Sequence, residues 1–173
     1  LYDWDLPIED AYLVGDFGVR MTREGRRATI VDAPDALAIG DWVTQGYPFY
    51  GGNMVYGTSF RFTPSPQMRY ALRVHFEGTL ACVRMNGVEC PAILWAPWET
   101  DVTPALRPGS NELTIEVAGS LRNTLGPLHH RLNRDLVRTG PGEFRDKENW
   151  TDGYQFEPYG IMRPVEIIAR TKG

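Results

Sequence analysis

The sequence predicts an all-β protein, a two-sheet antiparallel β-sandwich with long loops. Three observations support this fold class. Apolar and polar residues alternate along several short segments, Asn86-Gly87 separates two such segments, and Pro108-Gly109 marks a second turn before another alternating segment. Alternation with a period of two places one face of a strand against a core and the other face in water.

The order of segments along the sequence indicates a single domain. Residues 1–10 are acidic, carry two aromatic rings and have no period, so we expect a docking or linker segment there and a single sandwich over residues 11–173. Residues 120–159 also lack a period, and we expect a long loop with a helical turn that Gly126-Pro127 interrupts. We expect eight to ten strands, among them residues 11–21 (with a bulge), 28–31, 54–62, 70–76, 80–85, 111–117 and 161–169.

The Asn86-Gly87 pair predicts a tight hairpin, because both central positions of such a loop need positive φ, which Asn and Gly tolerate. Counting outward from this loop, Cys90 faces residue 83 and Cys82 faces residue 91. The two cysteines then point to opposite faces of the hairpin, so a disulfide would require a bulge. We therefore predict buried free thiols.

Residues 40–52 form a second informative stretch, GDWVTQGYPFYGG, which is too irregular for a strand or a helix. Its aromatic residues either close one end of the core or present a platform on which a ligand stacks. We favour the first interpretation, because large aromatic side chains are mostly buried for packing reasons.

Composition excludes some classes of function. The chain has 173 residues, enough for a real core, and a net charge of −4. A nucleic-acid partner would need a basic face, and a membrane span would need a long apolar run, so we expect neither partner. The chain begins at Leu1 without Met and without a signal peptide, so we expect a domain from a longer protein.

Two motifs carry a resemblance to a known family. Residues 83–88 read VRMNGV, and residues 101–113 read DVTPALRPGSNEL, after a Trp-Ala-Pro-Trp segment at residues 95–98. This pattern resembles the galactose-binding-like, jelly-roll sugar-binding-type modules of glycoside hydrolases, which occur in family 2-like and rhamnosidase-like proteins. The resemblance implies a jelly-roll topology, a bacterial source, and a secreted or periplasmic enzyme in which the module lies beside a catalytic domain of the same polypeptide.

No motif marks a catalytic residue. Glycoside hydrolysis needs two carboxylates on either side of the scissile bond, and no acid here has a distinguishing context, so we predict no catalytic site and no enzyme activity for the isolated domain. Asp101 is expected to accept backbone N–H bonds at a turn, and the adjacent His129 and His130 are not spaced to share a metal ion. The acids considered are Glu99, Asp101, Glu143, Asp146, Glu148, Asp152 and Glu157.

No cofactor or metal ligand is predicted. Sandwich modules of this type often hold a structural calcium ion, but no loop has a calcium-binding spacing, so calcium stays an open alternative without named ligands.

Three functions remain open. The first is a non-catalytic accessory module that buttresses a catalytic domain and contacts glycan. The second is an independent, lectin-like carbohydrate-binding module, and the third is a divergent glycosidase that uses loop carboxylates. Trp150 lies in a polar setting, where an exposed ring is easier to explain by binding than by packing. Trp98 is expected to be buried. The predicted ligand-binding residues are Trp150, Tyr154, Trp95, Arg122 and Asn123.

Overall fold

The computed structural model describes residues 11–131 and 150–172, and its described residues form an all-β protein. The predicted docking segment, residues 1–10, lies outside the described residues. One 3-10 turn (Trp42–Gln45) and one single-turn helix, α1 (Arg122–Leu125), accompany the strands. The strands are β1 (Gly18–Met21), β2 (Ala28–Val31), β3 (Asn53–Phe62), β4 (Met68–Arg73), β5 (Phe76–Glu77), β6 (Leu80–Met85), β7 (Val88–Glu89), β8 (Glu99–Asp101), β9 (Gly109–Ala118), β10 (Gly160–Ile161) and β11 (Glu166–Thr171).

The strands form an antiparallel β-sandwich, as predicted. One sheet has the order β3-β9-β6-β7 and the other has the order β11-β4-β8, while β1-β2 and β10-β5 form two small pairs. Residues 11–131 and 150–172 contain eleven strands, compared with the eight to ten expected for the chain. Two expected strands are each divided: residues 70–76 contain parts of β4 and β5, and residues 161–169 contain parts of β10 and β11.

The core lies between the two main sheets and follows the predicted alternation. Leu113, Ile115 and Val117 of β9 are buried, whereas Glu112 between them is exposed. From the opposite side, β4 and the segment that follows it contribute Tyr70, Leu72, Val74 and Phe76, all buried. The first strand is shorter than expected: it begins at Gly18, because residues 11–17 pair with none of the described strands.

The hairpin has the predicted register. Met85 pairs with Val88 and Arg84 pairs with Glu89, while Asn86 and Gly87 have φ of 54° and 80°. Cys82 and Cys90 are free thiols, as predicted, and burial raises the pKa of Cys90 above its ordinary value. Cys90 is buried and Cys82 is half-buried.

Residues 40–52 close one end of the core. Trp42 is completely buried, and its ring stacks on Tyr159 with centroids 5.6 Å apart. The backbone N–H of Trp42 donates to the carbonyl of Tyr159 (2.8 Å), and the Asp41 carboxylate accepts from the backbone N–H of Val43 (2.9 Å). The predicted packing role therefore holds for Trp42, whereas Tyr50 remains 37% exposed.

No helix among the described residues has the length and the apolar character that crossing a membrane would require.

Candidate functional site

The candidate site is built around residues 150–155, where two of the predicted ligand-binding residues lie together. Three backbone hydrogen bonds fix this segment: the Thr151 N–H donates to the carbonyl of His129 (2.8 Å), the Tyr154 N–H to Gly25 (2.8 Å) and the Gln155 N–H to Leu128 (2.7 Å). The segment is thus held between the β1-β2 turn and residues 128–130. Because backbone hydrogen bonds hold residues 150–155 on both sides, the segment has a fixed position on the surface.

Aromatic rings form the floor of the site. The His129 imidazole stacks on Trp150 (centroids 4.9 Å apart, 21° between planes) and lies 4.7 Å from the Tyr154 ring. Tyr154 in turn stacks on Phe156 and meets the edge of Phe49. Trp150 is 46% exposed, so His129 covers one face of the indole and leaves ring surface accessible.

A polar recess of about 460 Å³ opens beside Trp150. The Arg26 guanidinium lies 3.2 Å from the Asp152 carboxylate across it, and both side chains are well exposed. Gly153 permits this close assembly, since a Cβ there would lie 3.0 Å from the Glu24 carbonyl oxygen. The residues that line the recess include Glu24, Arg26, Arg131, Trp150, Asp152 and Gln155.

An apolar groove of about 1300 Å³ lies on the other side of Trp150. Residues 11–15, Phe49 and Leu125 are among its walls, and Trp150 and Tyr154 line it as well. Trp150 therefore borders both a polar and an apolar depression, and among the predicted ligand-binding residues it is the one that lines both.

The other predicted ligand-binding residues lie elsewhere. Trp95 is 71% exposed on the connection between β7 and β8 and lines neither depression. Trp98 was expected to be buried; it is half-buried, with its ring against Phe76 (centroids 5.4 Å apart). Arg122 begins α1 and is half-buried.

Asn123 has a structural environment. Its side chain is completely buried, its amide donates to the Glu157 carbonyl (2.8 Å), and its oxygen accepts from the Glu157 N–H (2.9 Å). Both ends of the amide bind the backbone and the side chain has no exposed surface, so Asn123 has a structural role in this fold, while its ligand contact stays a prediction.

Glu99 belongs to a charged cluster on the outer face of the three-stranded sheet. Its side chain is only 6% exposed and receives hydrogen bonds from Arg73 (2.7 Å) and Arg170 (2.7 Å). Burial opposes ionisation, but these two guanidinium groups outweigh it and hold the pKa of Glu99 below its ordinary value. Glu99 therefore stays ionised as the anchor of a cross-strand network.

We expect the Glu99→Gln variant to lose less stability on acidification than the parent protein. The pKa of Glu99 is lower in the folded chain than in the unfolded chain, so its contribution to stability is complete above the ordinary value of about 4.3 and disappears as the pH falls towards the folded value. The variant should be less stable at pH 7, and the difference should narrow below about pH 4. Urea unfolding of both proteins at pH 7, 5, 4 and 3 measures the two free energies of unfolding. A difference between them that stays the same at all four pH values would contradict the prediction.

Two further acids of those considered have partners of their own. The Asp101 carboxylate accepts from the Thr103 N–H (2.8 Å), as predicted, and the Thr103 interaction holds the pKa of Asp101 below its ordinary value. Asp152 pairs with Arg26. Three considered acids, Glu143, Asp146 and Glu148, lie outside the described residues.

Within residues 11–131 and 150–172, no group of three or more His, Cys, Asp or Glu side chains is placed to hold a metal ion. His130 is buried and forms a β-bridge with Trp150, and the His129 ring lies between two aromatic rings. The two histidines thus have separate environments, and a structural calcium ion stays an open alternative without named ligands.

Sequence reasoning missed Glu24 and Arg26, which reach the recess from the β1-β2 turn. The sequence of residues 22–27 indicates only a charged turn. No sequence pattern in these residues indicates that the turn contacts residues 152–154, more than a hundred residues later. The contact could have been found only from covariation or from a structure.

Comparisons with known proteins support the fold. No protein-family model and no curated protein matches the sequence. Among solved structures, a rhamnosidase from Novosphingobium sp. PP1Y aligns with 93% of this chain at 22% identity and a TM-score of 0.57, and the aligned region is 15% of the rhamnosidase. A β-glucuronidase from Ruminococcus gnavus aligns with 95% of this chain at 16% identity and a TM-score of 0.48, over 29% of its own length.

The likeness to the rhamnosidase confirms the predicted resemblance at the level of the fold. The chain spans only 15% of the length of that protein, so a sandwich of this kind is a small part of the larger chain in which it is found.

Proposed function

We propose that this chain is a non-catalytic β-sandwich module of a larger carbohydrate-active, glycoside hydrolase-like protein, where it buttresses the catalytic domain of the same polypeptide. One observation carries the proposal: almost the whole chain, 93%, aligns with a region that makes up only 15% of a rhamnosidase. This share supports an accessory role, because most of the host chain remains for a separate catalytic domain. The proposal includes a secreted or periplasmic location and a bacterial source.

The use of the acids supports a non-catalytic role. A glycosidase holds two carboxylates about 5–10 Å apart, with access to substrate on both. Glu99 is buried by two arginines, Asp101 accepts a hydrogen bond from its own turn, and Asp152 pairs with Arg26. Each of these three acids already has a structural partner, and this supports a non-catalytic role for them.

We expect the isolated chain to release no chromophore from 4-nitrophenyl α-L-rhamnoside, β-D-galactoside or β-D-glucuronide above the rate of buffer. Circular dichroism of the same sample must show a folded β protein, so that inactivity is not the result of unfolding. Hydrolysis that increases in proportion to the chain and disappears on replacement of one of its own acids would contradict the proposal.

The buttress itself is tested in the parent polypeptide. Removal of the sandwich should lower the melting temperature of the catalytic domain. A catalytic domain with unchanged melting temperature and unchanged activity would contradict a buttressing role.

A further inference from the structure

Strand β3 lies at one edge of the four-stranded sheet, and its outer edge is open. The strand has ten residues and pairs with β9 along its whole length without a bulge. In the described part of the chain, no strand pairs with its other edge. The sequence of β3 contains no proline. A long, regular edge strand of this kind is a ready template for the addition of another strand.

Alternate backbone groups of β3 point towards the open edge. The carbonyl of Ala118 accepts from the backbone N–H of Thr79, and that of Glu112 accepts from the backbone N–H of Asn86, both at 2.8 Å. The even-numbered residues of β9 therefore face β6, and its odd-numbered residues bond the even-numbered residues of β3 that lie opposite them. The N–H and C=O groups that point away from β9 are those of Val55, Gly57, Ser59 and Arg61.

The side chains of these edge residues leave two groups without partners. Val55 is 65% exposed, although its neighbours on the outer face of β3 are polar residues or glycine. A Cβ added at Gly57 would meet no other atom within 4 Å, so the outer face is open at the middle of the strand. Arg61 is exposed and belongs to none of the ion pairs of the described residues.

A second copy of β3, antiparallel to the first, matches the open backbone groups. When Thr58 lies opposite Thr58 of the second copy, Val55 lies opposite Arg61 and Gly57 lies opposite Ser59. All four are residues whose N–H and C=O groups point to the open edge, so each pair exchanges both of its N–H···O bonds. The arrangement has a two-fold axis, and every pair therefore occurs twice.

The outer-face side chains are complementary in this register. The aliphatic part of Arg61 from the second copy would cover the exposed Val55. Glu116 of β9 lies directly opposite Val55 on the other side, and the Asn53 amide holds its carboxylate towards β3 (2.7 Å). Arg61 of the second copy would then be about 10 Å from Glu116 between backbones, two strand spacings, which two long side chains bridge.

The inner face gains cross-strand pairs in the same register. Met54, Tyr56, Phe60 and Phe62 are half-buried and pack against the core of their own chain. Met54 would lie opposite Phe62 of the second copy, and Tyr56 opposite Phe60. Aromatic pairs across neighbouring strands stabilise a sheet. Both faces of β3 thus favour the same partner strand.

We propose that this chain forms a two-fold symmetric dimer through antiparallel pairing of β3 with β3 of a second copy, so that two four-stranded sheets become one continuous sheet. The contact between Arg61 and Glu116 of opposite copies determines the register. This inference goes beyond the proposed accessory function and does not depend on it.

Sedimentation velocity of the whole chain, at physiological salt and over a range of concentrations, tests the proposal. We expect an equilibrium between monomer and dimer. Ser59→Pro removes an N–H that points to the open edge and leaves the hydrogen bonds to β9 in place. We expect a Kd of dimerisation at least tenfold higher for this variant, with an unchanged circular dichroism spectrum.

Charge reversal tests the register. Arg61→Glu and Glu116→Arg should each raise the Kd several-fold, because like charges then meet across the interface. The double variant should return towards the parent Kd, since the opposite charges meet again. Arg84→Glu is the matched control: it makes the same change on the outer face of the same sheet, at an exposed residue of β6 away from the edge, and should leave the Kd unchanged.

Hydrogen exchange locates the interface. The backbone amides of Val55, Gly57, Ser59 and Arg61 should exchange more slowly above the Kd than below it, because dimerisation gives them hydrogen-bond partners. The amides of Tyr56 and Phe60 already face β9 and should change much less.

Other outcomes overturn the proposal. A folded chain that stays monomeric at every concentration would contradict it. A dimer that neither Ser59→Pro nor Arg61→Glu weakens would place the interface elsewhere, and a double charge reversal without recovery would contradict the register. None of these results bears on the accessory function, which depends on the hydrolysis assay and on deletion from the parent polypeptide.

Discussion

Replacing Trp42 with alanine is expected to lower the free energy of unfolding by about 3–5 kcal/mol, the usual range for a fully buried tryptophan. Trp42 has no exposed surface, stacks on Tyr159, and meets the edge of the Tyr50 ring with centroids 6.2 Å apart. The substitution removes the largest fully buried side chain and leaves a cavity at one end of the core that the close-packed neighbours cannot fill by a local shift.

Urea unfolding of Trp42→Ala and of Trp95→Ala measures the effect of the same substitution at a buried and at an exposed position. The exposed position should change stability by no more than about 0.5 kcal/mol. A Trp42→Ala protein that is within 1 kcal/mol of the parent would show that residues 40–52 are not part of the cooperative core.

The Trp42→Ala substitution should also affect the candidate site. The loop that Trp42 anchors continues to Phe49, whose ring meets the edge of Tyr154 and whose carbonyl accepts from the Thr124 hydroxyl (2.7 Å). Weaker anchoring of this loop removes a support from the aromatic floor, so Trp42→Ala should also weaken any ligand that the Trp150 recess binds.

The strands and the hairpin are predictable because their signals are local. Asn86-Gly87 requires a particular loop, and this loop determines which residues face each other, so the positions of Cys82 and Cys90 follow from counting. The buried face of β9 follows from alternation for the same reason. Asp101 also bonds within two residues of itself, at Thr103, and is therefore predictable.

The site is only partly predictable, because its parts come from distant segments. The polar setting of Trp150 is a local signal, and it led to the ring that borders the recess. The contribution of Arg26 depends on how the β1-β2 turn contacts residues 152–155, and no local pattern encodes that contact. Asn123 shows a second limit of local patterns, since a polar residue in an irregular segment can have both ends of its amide bonded to backbone groups from a distant segment.

Asn111→Ala is expected to lower the free energy of unfolding by about 2–4 kcal/mol, because the substitution leaves several buried polar groups without partners. The Asn111 side chain is completely buried; its oxygen accepts from the Arg107 N–H (3.0 Å) and from the Asn86 amide (2.8 Å). Its own amide donates to the carbonyls of Arg107 (2.9 Å) and Gly109 (3.1 Å). The corresponding fall in melting temperature is roughly 4–16 °C for a domain of this size.

One variant identifies the cause of the Asn111 effect, and a second is a control at an exposed position. Asn111→Leu keeps a comparable volume and removes the hydrogen bonds, so it should be about as destabilising as Asn111→Ala. Near-parental stability of Asn111→Leu would show that side-chain volume, not hydrogen bonding, determines the effect. Asn53→Ala removes an exposed asparagine whose amide bonds Glu116 (2.7 Å), and it should change stability by no more than about 0.5 kcal/mol.

The Asn111 network explains why two separate motifs occur together in this sequence. Asn86 belongs to the hairpin loop and Asn111 to the turn before β9; the Asn86 amide also donates to the Ala105 carbonyl, and its oxygen accepts from the Glu112 N–H. The two side chains thus join the hairpin loop to the start of β9. Asn86→Ala in the Asn111→Ala background should cost less than Asn86→Ala in the parent, because the shared hydrogen bond can be lost only once. Strict additivity in urea unfolding would mean that the two turns are stabilised independently.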